Sequence, residues 1–455
     1  MHTQIRMPAG VRYIIETLAA SGFEAYAVGG CVRDSLMGRI PADWDITTSA
    51  VPDELLRVFK NNRVIPTGIK HGTVTILCKG GQFEVTTYRV DGAYTDGRRP
   101  DNVTFSASLE EDLKRRDFTI NAMAYNDAHG LQDFFGGAAD LENKIIRCVG
   151  DPKERFAEDY LRMLRAYRFA ATLGFSLEPS VVETIAANRA KVKGISAERI
   201  QSELNKLLLS GDFAIQRAFF DVFADVLLPE VAALRGVEQN NAYHCHDVYD
   251  HSMAVLAHTP PELCMRLSAL LHDVGKARCR TVDDYGVCHF YKHESKSADM
   301  AAGILKRLKY DNETMDTTLN IIRFHGHCFR PEPRAVKKLI GKLGVPLARH
   351  VLRFFQADTM GKSDFARERS LPLAEACMEA LEAVVASGEP CALSDLAVNG
   401  KDVMDILRLP PGREVGDMLH ALLDRVQAEP ALNTREALTA LMENLHAGQA
   451  NTPGL

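Results

Sequence analysis

Two aspartates separated by one residue, Asp43 and Asp45, lie in the extended-looking stretch 43–49. Strand side chains alternate in direction, so both carboxylates share one face and Trp44 takes the other. A carboxylate pair of this kind suits magnesium, which binds one or two carboxylates together with phosphate oxygens. Two such ions activate an attacking hydroxyl and stabilise the leaving phosphate in nucleotidyl transfer. Upstream, Gly29-Gly30 separates an apolar run from a short helical stretch that carries Arg33. A helix opening at Gly30 presents bare backbone N–H groups, and Arg33 adds a guanidinium one turn in, which together form a cradle for a triphosphate. An isolated Asp-x-Asp fits solvated acids in a turn equally well. Gly-Gly-Cys-Val-Arg-Asp followed nine residues later by the aspartate pair points instead to catalysis. Glu84 is a weaker candidate for a third carboxylate.

Two further groups belong to the same chemistry. Lys114-Arg115-Arg116-Asp117 is either a solvated basic turn or a grip on a triphosphate or primer backbone. Asp159, Arg162, Arg165 and Arg168 recur every three residues, so on one helix they share a side with a steady drift. They could be a surface ladder of ion pairs, but Leu161, Met163, Leu164 and Phe169 surround them and predict partial burial. A rigid carboxylate and guanidinium can read a base edge: the acid accepts from an exocyclic amine and the arginine donates to ring or carbonyl acceptors.

A second cluster lies further along. Nine of the 15 histidines fall between His244 and His327, and imidazole is the commonest metal ligand. His251, His272-Asp273, His293, His325 and Asp358 each sit in an apolar, helix-like frame. One histidine in such a frame is ordinarily a satisfied core residue, but six such residues call for a metal. Mixed nitrogen and oxygen donors suit Mn, Fe, Co, Ni or Zn better than calcium. Gly361-Lys362-Ser363 mimics the end of a P-loop, but Gln356 stands where that motif needs glycine.

The elements that must hold these residues divide the chain. Residues 10–135 read as α/β: a helix built on Val11, Ile14, Ile15 and Leu18, an apolar strand up to Gly29, and a hairpin turning at 79–81. Residues 91–106 are polar, basic and glycine-bearing, and read as a mobile loop. Beyond residue 136 strand signals vanish, and the rest reads as helices broken at Pro260-Pro261, 331–333 and Pro410-Pro411-Gly412. The expected organisation is a head over 1–135, a helical neck over 136–235, a histidine-rich helical domain over 236–370 and a helical tail over 371–455.

The head resembles the DNA polymerase beta-like nucleotidyltransferases, and within them the class II branch of tRNA CCA-adding enzymes and bacterial poly(A) polymerases. The residues carrying this are Gly29 to Asp34, Asp43-Trp44-Asp45, Arg115-Arg116-Asp117 and Glu158 to Arg162; residues 397–416 look like the C-terminal region of bacterial members. The resemblance implies catalytic magnesium at Asp43 and Asp45, and nucleotide binding by Gly30, Arg33 and Arg116. It also implies base choice by Asp159 and Arg162, with Arg165 and Arg168 lining the same pocket. Substrates would be tRNA, CTP and ATP. His251, His272-Asp273 and Asp358 resemble the HD superfamily of metal-dependent phosphohydrolases, with His293 and His325 available to a second ion. The implied architecture is an α/β nucleotidyltransferase head followed by an all-helical neck, HD domain and tail.

Composition sets the outer limits. The 455 residues carry a net charge of −6, are 46% hydrophobic and 25% charged, and contain no 18-residue apolar run. Wholesale disorder and a membrane span are thereby unexpected, and ten cysteines without a Cys-x-x-Cys pair read as reduced thiols of a cytoplasmic protein. Bulk charge does not favour coating nucleic acid, yet Arg330, Arg334, Lys337, Lys338, Lys342 and Arg349 form a local candidate phosphate track. A poly(A) polymerase would be expected to have a strongly basic tail, whereas 406–455 is acidic, and a CC-adding enzyme would lack the 91–106 loop. An A-adding enzyme, or an HD protein with an inactive head, remain the other readings.

Overall fold

A computed structural model describes residues 4–78, 80–91, 103–106 and 108–450. The chain forms two compact units, Met1–Leu227 and Leu228–Leu455.

In the first unit, β1 (Ala25–Val28), β2 (Asp45–Thr48), β3 (Arg63–Gly68), β4 (Thr73–Cys78), β5 (Gly81–Thr87), β8 (Ala124–Asn126) and β9 (Gly130–Gln132) make one sheet. Its order is β3-β4-β5-β2-β1-β8-β9. Only β2 and β5 run parallel, with Asp45 opposite Glu84; the remaining pairs are antiparallel. All four β1 side chains are buried, as a central strand covered on both faces requires. One face packs on the Ala9–Ala20 helix through Val11, Ile14, Ile15 and Leu18, the expected spacing. The other carries Tyr26, Val28, Tyr88, Leu109 and Leu113. The expected 91–106 loop is only partly tested, because 92–102 lie outside the described residues. Its ends belong to a two-stranded ribbon, β6 (Arg89–Asp91) with β7 (Val103–Phe105).

Helices follow, with two corrections. Strands do not vanish after 136: β10 (Ile145–Ile146) pairs in parallel with β11 (Ser176–Leu177), and in the second unit β12 (Arg280–Val282) pairs antiparallel with β13 (Cys288–Phe290). Strands of two or three residues are too short to show a period. Nor do Asp159 and the three arginines share a helix. The Pro152–Glu158 helix ends at Asp159, which has extended φ/ψ, and a new helix runs Leu161–Leu173. Tyr167 on that helix packs edge-on against Phe219 and Phe223 of the Phe213–Leu227 helix.

In the second unit, Val248–His258, Leu263–Leu271, His293–Arg307, Asn312–Phe324 and Val345–Met360 are the helices that carry the histidine-rich cluster. Beyond Asp364–Ser387, the helices Gly400–Leu407, Arg413–Ala428 and Arg435–Ala450 share a core of Val403, Met418, Leu422, Val426, Leu438 and Met442. Half of the candidate phosphate track, three residues of six, is engaged in internal pairing. Lys337 is buried and donates to the Gln427 carbonyl at 2.9 Å; Lys338 pairs with Asp424 at 3.0 Å, and Arg349 with Glu382 at 2.7 Å.

Candidate functional site

Trp44 is buried while Asp43 and Asp45 are exposed, the alternation expected of an extended segment. Asp43, Asp45 and Glu84 line a common cleft of about 830 Å³, with Glu84 on β5 beside Asp45 on β2. Partial desolvation by the walls of the open cleft and then the neighbouring Asp43 charge raise the pKa of Asp45, with Arg116 opposing and Glu84 adding to the rise. Crowded carboxylates of this kind favour a bound cation, and the residues present fit a hard divalent ion.

Gly29 caps the Gly30–Leu36 helix at φ +80°, and a Cβ there would stand 2.9 Å from Arg116 Nη1. Glycine therefore lets the Arg116 guanidinium lie against the turn. Arg116 reaches Asp112 at 3.5 Å, while its Nε is buried without a hydrogen-bond partner. Arg33 is buried as well, donating to Asn121 Oδ1 at 2.7 Å and to Asp34 at 2.8 Å. Its guanidinium lies 5.3 Å from the Phe169 ring, which also takes Arg165 at 5.2 Å and Arg168 at 3.5 Å. Three guanidinium groups thus gather on one aromatic ring as a cation–π cluster.

Two buried acids hold this cluster: Asp117, which the sequence offered as part of a motif without a role of its own, and Glu203, which sequence reasoning missed. Asp117 accepts from Asn121 Nδ2 at 3.1 Å and pairs with Arg165 Nη2 at 2.6 Å; Glu203 pairs with Arg168 at 2.8 Å. Burial would raise the Asp117 pKa, but Arg165 and the Asn121 hydrogen bond outweigh it and hold the carboxyl well below its usual range. Asp159 and Arg162 have separate side-chain partners. Asp159 takes Arg199 through both carboxylate oxygens, at 2.6 and 3.2 Å. Arg162 pairs with Glu158 and donates to the carbonyls of Arg155 and Arg115. Asn121 lies 88 residues from Arg33, Arg199 40 from Asp159 and Glu203 35 from Arg168, and no local motif announces these pairings.

In the second unit, ligand atoms of His251, His272 and Asp273 lie within 4.8 Å of one another, as do those of Asp273, His293 and His325. Asp358 joins the first group, 3.0 Å from His251 Nε2. Asp273 stands between the groups: Oδ2 is 3.1 Å from His272, and Oδ1 is 3.4 Å from His293 and 3.6 Å from His325. The four imidazoles are oriented alike. Nδ1 of His251, His272, His293 and His325 meets the backbone carbonyls of Gly361, Ala269, Phe290 and Ile322 at 3.1, 3.0, 2.8 and 2.6 Å. A carbonyl only accepts, so each Nδ1 carries the proton and each Nε2 lone pair points inward; metal-binding histidines likewise donate their other ring N–H to a carbonyl or carboxylate. Gly275 lets the start of the His293–Arg307 helix pack closely against it, since a Cβ there would stand 2.7 Å from the Ser297 backbone nitrogen and 2.9 Å from the His293 carbonyl.

Charge balance also fits a metal. Both oxygens of Asp273 are buried without a hydrogen bond, and its charge is met by Lys276 Nζ at 2.8 Å; Lys362 faces Asp358 at 2.7 Å. Burial opposes ionisation of Asp358, but the Lys362 charge beside it keeps its pKa well below the normal value. Burial holds His251 and His293 below the ordinary imidazole value, which favours the neutral ligand form; for His272 the adjacent Asp273 outweighs burial and raises it. Lys276 was passed over in the sequence and Lys362 was weighed only as the lysine of a P-loop mimic, although both stand within four residues of a candidate ligand. His244 packs 5.3 Å from the His251 ring, and burial drives its pKa down to about 2.

Known proteins bear on both clusters. Residues 25–147 match the Poly A polymerase head domain, 174–234 the probable RNA and SrmB-binding site of polymerase A, and 241–359 the HD domain. The chain is 51% identical over 218 residues to the CCA-adding enzyme of Lactobacillus helveticus, covering 48% of this chain and 53% of that one. Over 196 residues it is 53% identical to the CCA-adding enzyme of Lactiplantibacillus plantarum, covering 43% and 48%. The chain thus spans about half the length of the curated relatives it matches. The Bacillus stearothermophilus CCA-adding enzyme in complex with CTP is similar over almost the whole length, at 31% identity and TM-score 0.70, covering 98% of this chain and 100% of that one. A Thermotoga maritima CCA-adding enzyme complexed with tRNA shares the fold, at 19% identity and TM-score 0.58, covering 97% of each chain.

Proposed function

The chain belongs to the CCA-adding enzyme family, and on that premise we propose that it adds CCA to the 3′ end of tRNA from CTP and ATP, without a nucleic-acid template, in the cytoplasm. The 3′-hydroxyl oxygen bonds to the α-phosphorus, the bond to the β-phosphate breaks, and pyrophosphate leaves as the hydroxyl proton is released. Support comes first from Asp43, Asp45 and Glu84 converging on one cleft beside the Arg116 charge. Magnesium held by Asp43 and Asp45 would acidify the attacking hydroxyl and neutralise the triphosphate. Gly30, Arg33 and Arg116 hold the triphosphate, and Arg165 and Arg168 flank the nucleotide at Phe169. Asp159 and Arg162 choose the base, exchanging Arg199 and Glu158 for the amine and acceptor of cytosine or adenine.

The histidine-rich centre is proposed as a second, hydrolytic site. His251, His272, Asp273 and Asp358 would hold one transition-metal ion, and Asp273, His293 and His325 another. Metal bound there would supply a hydroxide at neutral pH and polarise a phosphoryl oxygen. Phosphomonoesters and 2′,3′-cyclic phosphates are the substrates, since a terminal phosphate must be removed before a 3′-hydroxyl can attack. Lys276 and Lys362 offset the buried aspartates.

The test is extension of tRNA lacking its 3′ end, with magnesium and CTP, ATP or both. Growth by two nucleotides with CTP alone and by three with both is expected. Growth only on tRNA ending in CC would make the chain an A-adding enzyme, and long A-tails a poly(A) polymerase. Absence of growth would leave the histidine-rich centre as the active one.

A further inference from the structure

The β12–β13 hairpin of the second unit carries side chains that neither reaction uses. Asp283 builds its turn: Oδ1 accepts from the N–H of Tyr285 at 3.0 Å and of Val287 at 2.9 Å, and Oδ2 lies 2.8 Å from His289 Nε2. The tip is therefore held in place, and Tyr285 stands 92% exposed upon it. Strand alternation sends Cys288 inward and His289 and Tyr291 outward; Cys288 is buried and Tyr291 is 71% exposed. The rings of His289 and Tyr291 stack in parallel, with centroids 5.5 Å apart and planes at 6°. Arg278, Arg280, Lys292 and Lys296, in or next to the hairpin in sequence, are exposed.

The hairpin's other face reaches the histidine-rich centre. Lys276 Nζ lies 5.3 Å from the Phe290 ring and 2.8 Å from Asp273. The Phe290 carbonyl accepts from His293 Nδ1 at 2.8 Å. Tyr291 is two residues from His293, about 7 Å of extended chain, so a strand passing from the outward rings round the hairpin edge can reach the ligands.

We propose that this hairpin is a stacking platform for unpaired bases at the 3′ end of an RNA, whose terminal phosphate lies at the histidine-rich centre. Aromatic faces accept any base, and neighbouring Arg and Lys side chains take the backbone phosphates, the combination by which single strands are held without sequence preference. The occupant is an oligoribonucleotide ending in a 3′- or 2′,3′-cyclic phosphate, in preference to a free phosphate ester. The proposal rests on the hydrolytic reading of that centre.

The test uses the full chain loaded with Mn²⁺ and two substrates: a short single-stranded oligoribonucleotide ending in a 2′,3′-cyclic phosphate, and glycerol 2-phosphate, which has no base. The double variant Tyr285→Ala/Tyr291→Ala is expected to raise KM for the oligonucleotide by about tenfold or more, with kcat retained and glycerol phosphate turnover unchanged. Tyr291→Phe keeps a ring and should keep the low KM. An oligonucleotide KM unchanged in the double variant overturns the platform. If the wild type hydrolyses neither substrate, the hydrolytic reading fails. The platform is then judged by fluorescence anisotropy of the same oligonucleotide, where affinity equal to wild type overturns it and about tenfold weaker binding supports it. Loss of self-association with RNA affinity intact would mark a protein-docking face and also overturn it.

Discussion

Gly29 and Arg116 show how a backbone conformation can set the position of a charge. Glycine at φ +80° is unstrained, whereas an L side chain rarely adopts that conformation, and a Cβ would press on Arg116 Nη1 at 2.9 Å. The far end of an arginine can swing away, so the steric part is relieved by moving the guanidinium off the turn. Backbone strain stays with the variant. Gly29→Ala is therefore expected to destabilise the chain by about 1–3 kcal/mol and to raise KM for nucleotides severalfold, as read by urea unfolding and primer extension. Normal kinetics would mean that Arg116 does its work from another position. The paired aspartates and the Gly-Gly turn were legible because spacing alone puts their groups on one face or at one helix start. Asn121, Arg199 and Glu203 were not, nor was the role of Asp117 within its motif, since Arg33, Asp159, Arg168 and Arg165 are brought to them only by the fold.

At the scale of elements, Asp117 ties the turn after the Leu109–Lys114 helix to the Leu161–Leu173 helix through Arg165. Its folded pKa lies below the unfolded value of about 3.9. A depressed pKa means that the stabilisation is fully present above the unfolded value and is lost as pH falls through that value toward the folded one. Asp117→Asn should cost about 3 kcal/mol at neutral pH, and the gap to wild type should close below about pH 4, measured by denaturant unfolding at a series of pH values. A gap independent of pH would assign the loss to packing. Helix ends were the hard part of reading these elements. Uniform three-residue spacing from Asp159 to Arg168 conceals a break at Asp159, where local charge pattern continues across a change of backbone direction. The 330–349 basic run was likewise legible as charge but not as pairing, because Asp424 and Glu382, which neutralise Lys338 and Arg349, come from later helices. Four histidines and two aspartates were readable as a set, while the shared tautomer emerges only with the carbonyls each Nδ1 meets.

Across the whole chain, the two candidate metal centres fall in different compact units, Asp43 and Asp45 in Met1–Leu227 and the histidine-rich cluster in Leu228–Leu455. Their donor sets differ as well, oxygens alone against imidazoles with carboxylates, and this difference selects different ions. An ion that binds the folded state only stabilises it by mass action, by about 2.7 kcal/mol at 100 times its Kd. Adding Mn²⁺ in a magnesium buffer should therefore raise the unfolding temperature of the wild type by several degrees in calorimetry. His272→Ala should remove that increment, and with it any phosphate release, while extension of tRNA in magnesium continues. Chelating the transition metal from the wild type should reproduce the variant's behaviour on both counts. If His272→Ala or chelation stopped nucleotide addition in a chain that still unfolds cooperatively, the two chemistries would share an ion or a folding unit, and the assignment of separate centres would fail.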